Sequence, residues 1–242
     1  MEKGLISTIQ GYSIKDGPGI RSTVFCVGCN LRCRWCSNPE LMLPGKKVMR
    51  FQLEGEERQQ EVGYEIESRA LAEKLARDRM FYAETAKILS GMGISSVLDT
   101  AGDVPWEVLD AVAENMEYVL YDVKTFDDAM HRRCTGRSNA RILENLKKLA
   151  AKGRMLIIRM VIVPEYNDDL EDVRKRMELV KSLGACVKRV DILPYHTLGK
   201  GKYQRLGIPY PIKGKEEIPQ TYWNEFRQLG VGISIVIAGE HG

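Results

Sequence analysis

Between Ser95 and Leu193, short apolar runs alternate with amphipathic helical patterns, and that alternation leaves very few folds open to the chain. Ser95–Asp99, Tyr118–Val123, Leu156–Val163 and Lys188–Leu193 are brief continuous apolar segments, the kind buried on both faces of a sheet. Between them, Trp106–Asn115, Asn139–Lys152 and Leu170–Leu183 carry helical periodicity. Ile142, Leu143, Leu146 and Leu149, for example, fall on one helical face. Repeated strand–helix units predict an α/β fold with a parallel sheet, curled into a full or partial barrel. No internal repeat interrupts the pattern, and Gln52–Gln60 reads as a solvated loop.

Composition narrows the function classes. Lys and Arg number 36 against 33 Asp and Glu, a net charge of +3 spread along 242 residues. Such a balance argues against a dedicated nucleic-acid or membrane-surface protein. At 44% hydrophobic and 29% charged, the chain is an ordinary globular one, which excludes disorder. No apolar run approaches the roughly 20 residues of a membrane span, and the N-terminus lacks the apolar core of a secretory signal. The expectations are a single domain over residues 1–242, a cytoplasmic location and a monomer.

Six cysteines remain, four of them within Cys26–Cys36. In such a chain, clustered thiols hold a metal or do chemistry more often than they form disulfides. Cys26, Cys29, Cys33 and Cys36 together would suit a closed zinc site. Cys29, Cys33 and Cys36 alone, as C-x3-C-x2-C, would suit an iron–sulfur cluster with one iron left without a protein ligand. Arg21–Val27 reads as a buried strand that fixes Cys26 to one face, whereas Gly28 allows a turn and Cys29–Cys36 a wrapping loop. Zinc sites also tend to draw their ligand pairs from stretches about 12 to 20 residues apart. The three-cysteine reading is favoured and the zinc reading stays open. Cys26 is expected as a buried small apolar residue, and Cys134 and Cys186 as structural thiols.

Asp16-Gly17-Pro18-Gly19-Ile20-Arg21, followed by Gly28-Cys29-Asn30-Leu31-Arg32-Cys33-Arg34-Trp35-Cys36-Ser37-Asn38-Pro39-Glu40, closely resembles the radical S-adenosylmethionine enzymes that activate glycyl radical enzymes. Leu98-Asp99-Thr100-Ala101-Gly102, Tyr121-Asp122-Val123-Lys124 and Leu193–Gly199 resemble three further blocks of that family. The resemblance implies a partial (β/α)6 barrel of the radical S-adenosylmethionine type. It also implies a 4Fe-4S cluster on Cys29, Cys33 and Cys36, and S-adenosylmethionine bound near Trp35, Asn38, Asp99, Lys124, Arg159 and His196. Asp99, Thr100 and Asp122 would hold a monovalent cation. Residue chemistry suits these roles: Lys124 can meet a carboxylate, Asp99 and Asp122 can ligate a hard cation, and His196 can hydrogen-bond a ribose or adenine. In a barrel, polar residues at the carboxyl ends of strands are where function gathers.

The implied activity is one-electron cleavage of S-adenosylmethionine to a 5′-deoxyadenosyl radical, which takes hydrogen from a glycine of a partner enzyme. Flavodoxin or ferredoxin would be the reductant; neither nucleic acid nor membrane is expected as a partner. Lys200, Lys202 and Arg205 form a basic stretch that could guide the partner. Two rival functions remain, a radical enzyme acting on a small molecule and a zinc-stabilised binding module.

Two departures from the family stand out. Its Gly-Gly-Glu-Pro motif, which follows a second barrel strand and receives the methionine amino group, is missing. Ser68–Arg79 reads as a helix, Met80-Phe81-Tyr82 follows, and Ala83–Met92 reads as a second helix, with no strand or glycine turn between. The favoured expectation is that a stretch of roughly 20 residues has been lost from view between Tyr82 and Ala83; the alternative is a truly shortened chain that binds S-adenosylmethionine poorly. An intact mass of 27.4 kDa would exclude the first. In addition, residues 45–66 mark the place where many relatives insert a ferredoxin-like segment, and the cysteines of that segment are absent here.

Overall fold

The protein was analysed as a computed structural model, which describes residues 3–76, 91, 95–214, 218–230 and 232–238. The N-terminal elements are strands β1 (Lys3–Ser13), β2 (Arg21–Cys26), β3 (Lys47–Leu53), β4 (Glu56–Val62) and β5 (Tyr64–Glu67), then helix α1 (Ser68–Ala76). Next come β6 (Val97–Thr100), α2 (Trp106–Ala113), β7 (Tyr118–Asp122), α3 (Asp128–Thr135), α4 (Ala140–Ala151) and β8 (Leu156–Ile162). The chain continues through α5 (Leu170–Ser182), β9 (Val187–Pro194), α6 (Lys200–Leu206), α7 (Gln220–Leu229) and β10 (Ile235–Ile237).

The described residues of Ser95–His196 and Lys213–Gly242 form one compact unit. Its sheet has five strands in the order β10-β9-β8-β7-β6, and every neighbouring pair is parallel. The apolar runs become strands as expected: Leu156, Ile157, Ile158, Met160 and Ile162 of β8 are all buried. Each such side chain contributes about 1.5–3 kcal/mol by leaving water. The parallel register sets Asp99 and Thr100 beside Leu120 and Tyr121, and Asp122 beside Arg159. In α4 the buried face is Ile142, Asn145, Leu146 and Leu149. Leu143 is half-buried, and Asn145 takes its expected place because its amide donates to the carbonyls of Gly102 and Val104, both at 2.9 Å. That pair of bonds fixes the loop after β6, where Gly102 has φ 71 and a Cβ would lie 1.7 Å from the Tyr121 hydroxyl. Helix α3 was not foreseen. It places Cys134 in a buried helical turn.

The described residues of Met1–Ile94 and Thr197–Ile212 form the other unit. It contains an antiparallel sheet in the order β2-β1-β5 and the separate hairpin β3–β4. The hairpin corrects the expectation of a loop over Gln52–Gln60. Leu53 pairs with Glu56 across a two-residue turn, and Glu54 and Gly55 take positive φ of 53° and 83°. Its side chains are as solvated as expected, because all of β4 except Val62 is exposed. The expected helix Ser68–Arg79 is observed as Ser68–Ala76; Met80–Tyr82, the helix Ala83–Met92 and the Tyr82–Ala83 junction lie outside the described residues. No helix among the described residues is long and apolar enough to cross a membrane.

Candidate active site

The cysteine loop begins where β2 ends. Gly28, with φ 106, turns the chain, and the amides of Gly28 and Cys29 donate to the carbonyls of Leu41 and Met42 at 2.8 and 3.0 Å. The far end of the loop is thereby tied back to its start. Inside it, the Cys36 amide donates to the Cys33 carbonyl at 3.1 Å, and Arg32 donates to the carbonyls of Cys29 and Leu31. Leu31 and Trp35 are buried, so the loop is anchored by its apolar residues while Cys29 is exposed and Cys33 and Cys36 are half-buried. Trp35 is thus a core residue between two of the thiols. None of the six cysteines is in a disulfide. Cys26 is exposed at the end of β2, not buried as expected, because the strand's last residue leaves the cover of its neighbours.

In the other unit, the strand-end residues meet in one ion network. The Arg159 guanidinium pairs with Asp99 and lies 4.0 Å from Asp122, while the Lys124 ammonium donates to Asp122 at 2.9 Å. Burial alone would raise the Asp122 carboxyl, but Lys124 and Arg159 outweigh it and hold the group below its ordinary range. The Thr100 hydroxyl accepts from the Gly102 amide at 3.0 Å. His196 stands exposed two residues beyond β9. The structure therefore gathers Asp99, Asp122, Lys124 and Arg159, whereas Cys29, Cys33, Cys36, Trp35 and Asn38 belong to the loop of the other unit.

A depressed carboxyl sets the sign of a pH effect. Its contribution to stability is complete above the unfolded value near 3.9 and is lost as pH falls through the lower folded value. Lys124→Met removes the nearest cation, so the acid limb of the stability profile should move to higher pH. Denaturant midpoints measured from about pH 7 down to about pH 3 would show this; an unchanged limb would contradict the network.

Sequence reasoning missed the residues that hold Lys124. Its backbone carbonyl accepts from Asn167 Nδ2 at 2.8 Å and from Arg176 Nη1 at 3.2 Å. Arg176 also donates to the Asn167 carbonyl at 2.6 Å and forms an ion pair with Asp172 at 2.8 Å. Asp172 in turn accepts from the amides of Phe126 and Asp127, and Asn139 donates to the carbonyls of Thr125 and Phe126. The loop after β7 is thus bonded from three elements. Its rigidity is what keeps Lys124, 8% exposed, aimed at one place. The signal in the sequence was an Asp and an Arg four apart on a helix, which reads as a surface pair.

Three thiols of one loop, outside any disulfide and within reach of solvent, are the donor set of an iron–sulfur cluster, so these residues fit that group. Among the described residues no three His, Cys, Asp or Glu side chains gather closely enough to hold a single ion. The fit therefore rests on donor chemistry and on the shared loop. Lys124 and Asn38 offer donors suited to a carboxylate and a hydroxyl. For a monovalent cation the donor types suit, but Asp99 already faces Arg159 and Asp122 faces Lys124.

The sequence pattern of the Radical SAM superfamily matches residues 23–177, more than half of the chain. The chain is 32% identical to the pyruvate formate-lyase-activating enzyme of Clostridium pasteurianum, over 89% of this chain and 92% of that one. It is 31% identical to the trans-4-hydroxy-L-proline dehydratase activating enzyme of Clostridioides difficile, over 93% and 95%. Among solved structures, a radical SAM methyltransferase from Sphaerobacter thermophilus superposes with a TM-score of 0.58 at 14% identity, covering 98% of this chain and 75% of that one. That likeness speaks to the fold, and it agrees with the expected partial barrel. The chain belongs to the radical S-adenosylmethionine superfamily and, within it, to the activating enzymes of glycyl radical enzymes.

Proposed function

We propose that this protein installs a radical on a backbone glycine of a partner glycyl radical enzyme. The observation that carries this reading is the Cys29–Cys36 loop, its three thiols outside any disulfide, within the stretch that matches the superfamily. A 4Fe-4S cluster held there would supply the electron that cleaves S-adenosylmethionine, the chemistry by which the glycine hydrogen atom would be removed. The chain's own residues bind, orient and exclude water. Cys29, Cys33 and Cys36 would ligate the cluster, and buried Trp35 anchors the loop between two of them. Lys124, held by Asp122 and by its bonded loop, meets the cofactor's carboxylate. Asn38 and His196 donate to its polar groups, and Arg159 pairs with Asp99 and, together with Lys124, keeps the Asp122 carboxylate ionised. A monovalent cation at Asp99, Thr100 and Asp122 would have to displace Arg159 from Asp99.

Flavodoxin or ferredoxin is the expected reductant, and the protein acts as a cytoplasmic monomer without nucleic acid or membrane. All 242 residues serve one catalytic domain, with the β3–β4 hairpin over the stretch 45–66 where the family resemblance implies a ferredoxin-like insert. The sequence passes directly from Tyr82 to Ala83. The pairing with the Clostridium pasteurianum enzyme runs over 237 positions, and 89% of this chain is about 215 residues, so about 22 positions of the relative have no residue opposite. Contrary to the favoured expectation of a stretch lost from view, we take the shortening as real, which leaves the methionine amino group without its usual anchor and makes binding of S-adenosylmethionine weaker. Anaerobic incubation with reductant, S-adenosylmethionine and candidate partners tests the function. A glycyl radical with matching 5′-deoxyadenosine supports it, and deoxyadenosine that rises with a small molecule alone overturns it.

A further inference from the structure

The sequence places Lys202 in a basic stretch suited to guiding a partner, and the structure gives it a more local task. Its ammonium donates to Asn38 Oδ1 and to Glu40 Oε1, both at 2.6 Å. Glu40 is 6% exposed, and its second oxygen, Oε2, is buried without a hydrogen bond. The basic stretch is further absorbed by Arg205, which lies over the Phe51 ring at 5.4 Å. One turn earlier the backbone makes its own approach: a Cβ on Gly199 would lie 2.9 Å from Ser37 Cα and 3.1 Å from the Cys36 carbonyl oxygen. Residues 199–202 therefore press on the segment that directly follows the last cysteine of the loop, once by backbone and once by a half-buried ammonium paired with buried Glu40.

An ammonium has three donors and no acceptor, so it dictates which end of an amide it faces. With Oδ1 of Asn38 turned to Lys202, Nδ2 must point the other way and presents two donors. We propose that Lys202 is a positioning residue that sets the polarity of Asn38, so that Asn38 offers donors, not an acceptor, to bound S-adenosylmethionine. Glu40 is the counter-charge that keeps Lys202 in place. The proposal rests on the reading that this loop binds that cofactor.

A double-mutant cycle on cluster-loaded protein tests it, with the dissociation constant for S-adenosylmethionine measured calorimetrically. Every variant carries Glu40→Gln so that no buried carboxylate is stranded when Lys202 is changed. In that background Lys202→Met should weaken binding about 5- to 30-fold. Adding Lys202→Met to Asn38→Ala should change it less than twofold, and Lys202→Arg should recover most of the loss. Thermal midpoints of the cluster-free forms report any folding defect separately. Full additivity of Lys202→Met and Asn38→Ala, or a lowered midpoint with unchanged affinity, overturns the proposal. If the unaltered protein binds no S-adenosylmethionine, the functional reading itself falls; if it binds and the cycle is additive, this assignment alone falls. Gly199→Ala, which pushes on Ser37, should weaken binding in the presence or absence of Asn38.

Discussion

Replacing Cys29, Cys33 or Cys36 singly with Ala is expected to abolish activation and to remove the iron–sulfur absorbance, while Cys26→Ala leaves both within about twofold. The asymmetry follows from position. The three loop thiols share one turn-rich segment tied at its base by the Gly28 and Cys29 amides, whereas Cys26 lies outside it at the end of β2. Losing even an outer partner of a metal ligand costs about 10- to 100-fold, and losing a ligand costs more. Cys26 is exposed on the end of a strand, where substitutions shift stability by about 0.5 kcal/mol or less. Iron content and visible spectra of the reconstituted variants read the result. Loss of iron in Cys26→Ala, or its retention in any of the other three, would contradict the assignment.

The second large effect is expected at a residue that never touches the cofactor. Arg176 is fully buried, and Arg176→Met should destabilise the protein by about 3–5 kcal/mol, because it strands Asp172 and removes donors from the carbonyls of Lys124 and Asn167. For a chain of this size each kcal/mol lowers the thermal midpoint by about 2–4 °C, so a fall of roughly 6–20 °C is expected. Arg174, two residues earlier, forms ion pairs with Glu171 and Glu178 on the exposed face of the same helix. Arg174→Met should leave the thermal midpoint almost unchanged, because solvent screens its exposed ion pairs. Equal shifts for the two variants would show that the buried clamp contributes nothing special.

These two arginines show where the sequence was legible and where it was not. Strands β6 to β9 were readable because strands covered on both faces need nearly continuous apolar runs, and the polar residues that ended those runs, Asp99, Asp122 and Arg159, do meet. Arg174 and Arg176 carry the same pattern of partners at helical spacing, and periodicity assigns both to the surface; tertiary burial separates them. The β3–β4 hairpin was invisible for the opposite reason. Glu-Glu-Arg-Gln-Gln-Glu-Val has no apolar alternation, and the strand is held by its backbone ladder. Helix α3 did leave signals, since Asp127 caps it by accepting from the Met130 amide and Gly136 ends it with φ 76. Lys202 and Glu40 are 162 positions apart, and no local pattern joins them.

The central claim is that this chain makes a glycyl radical on another protein. Electron paramagnetic resonance of an anaerobic mixture of reconstituted protein, reductant, S-adenosylmethionine and a candidate glycyl radical enzyme tests it most directly. The account predicts a glycine-centred doublet on the partner, one 5′-deoxyadenosine formed per radical, and neither product with Cys33→Ala. Reductive cleavage of S-adenosylmethionine that proceeds at full rate without any radical on the partner would contradict it.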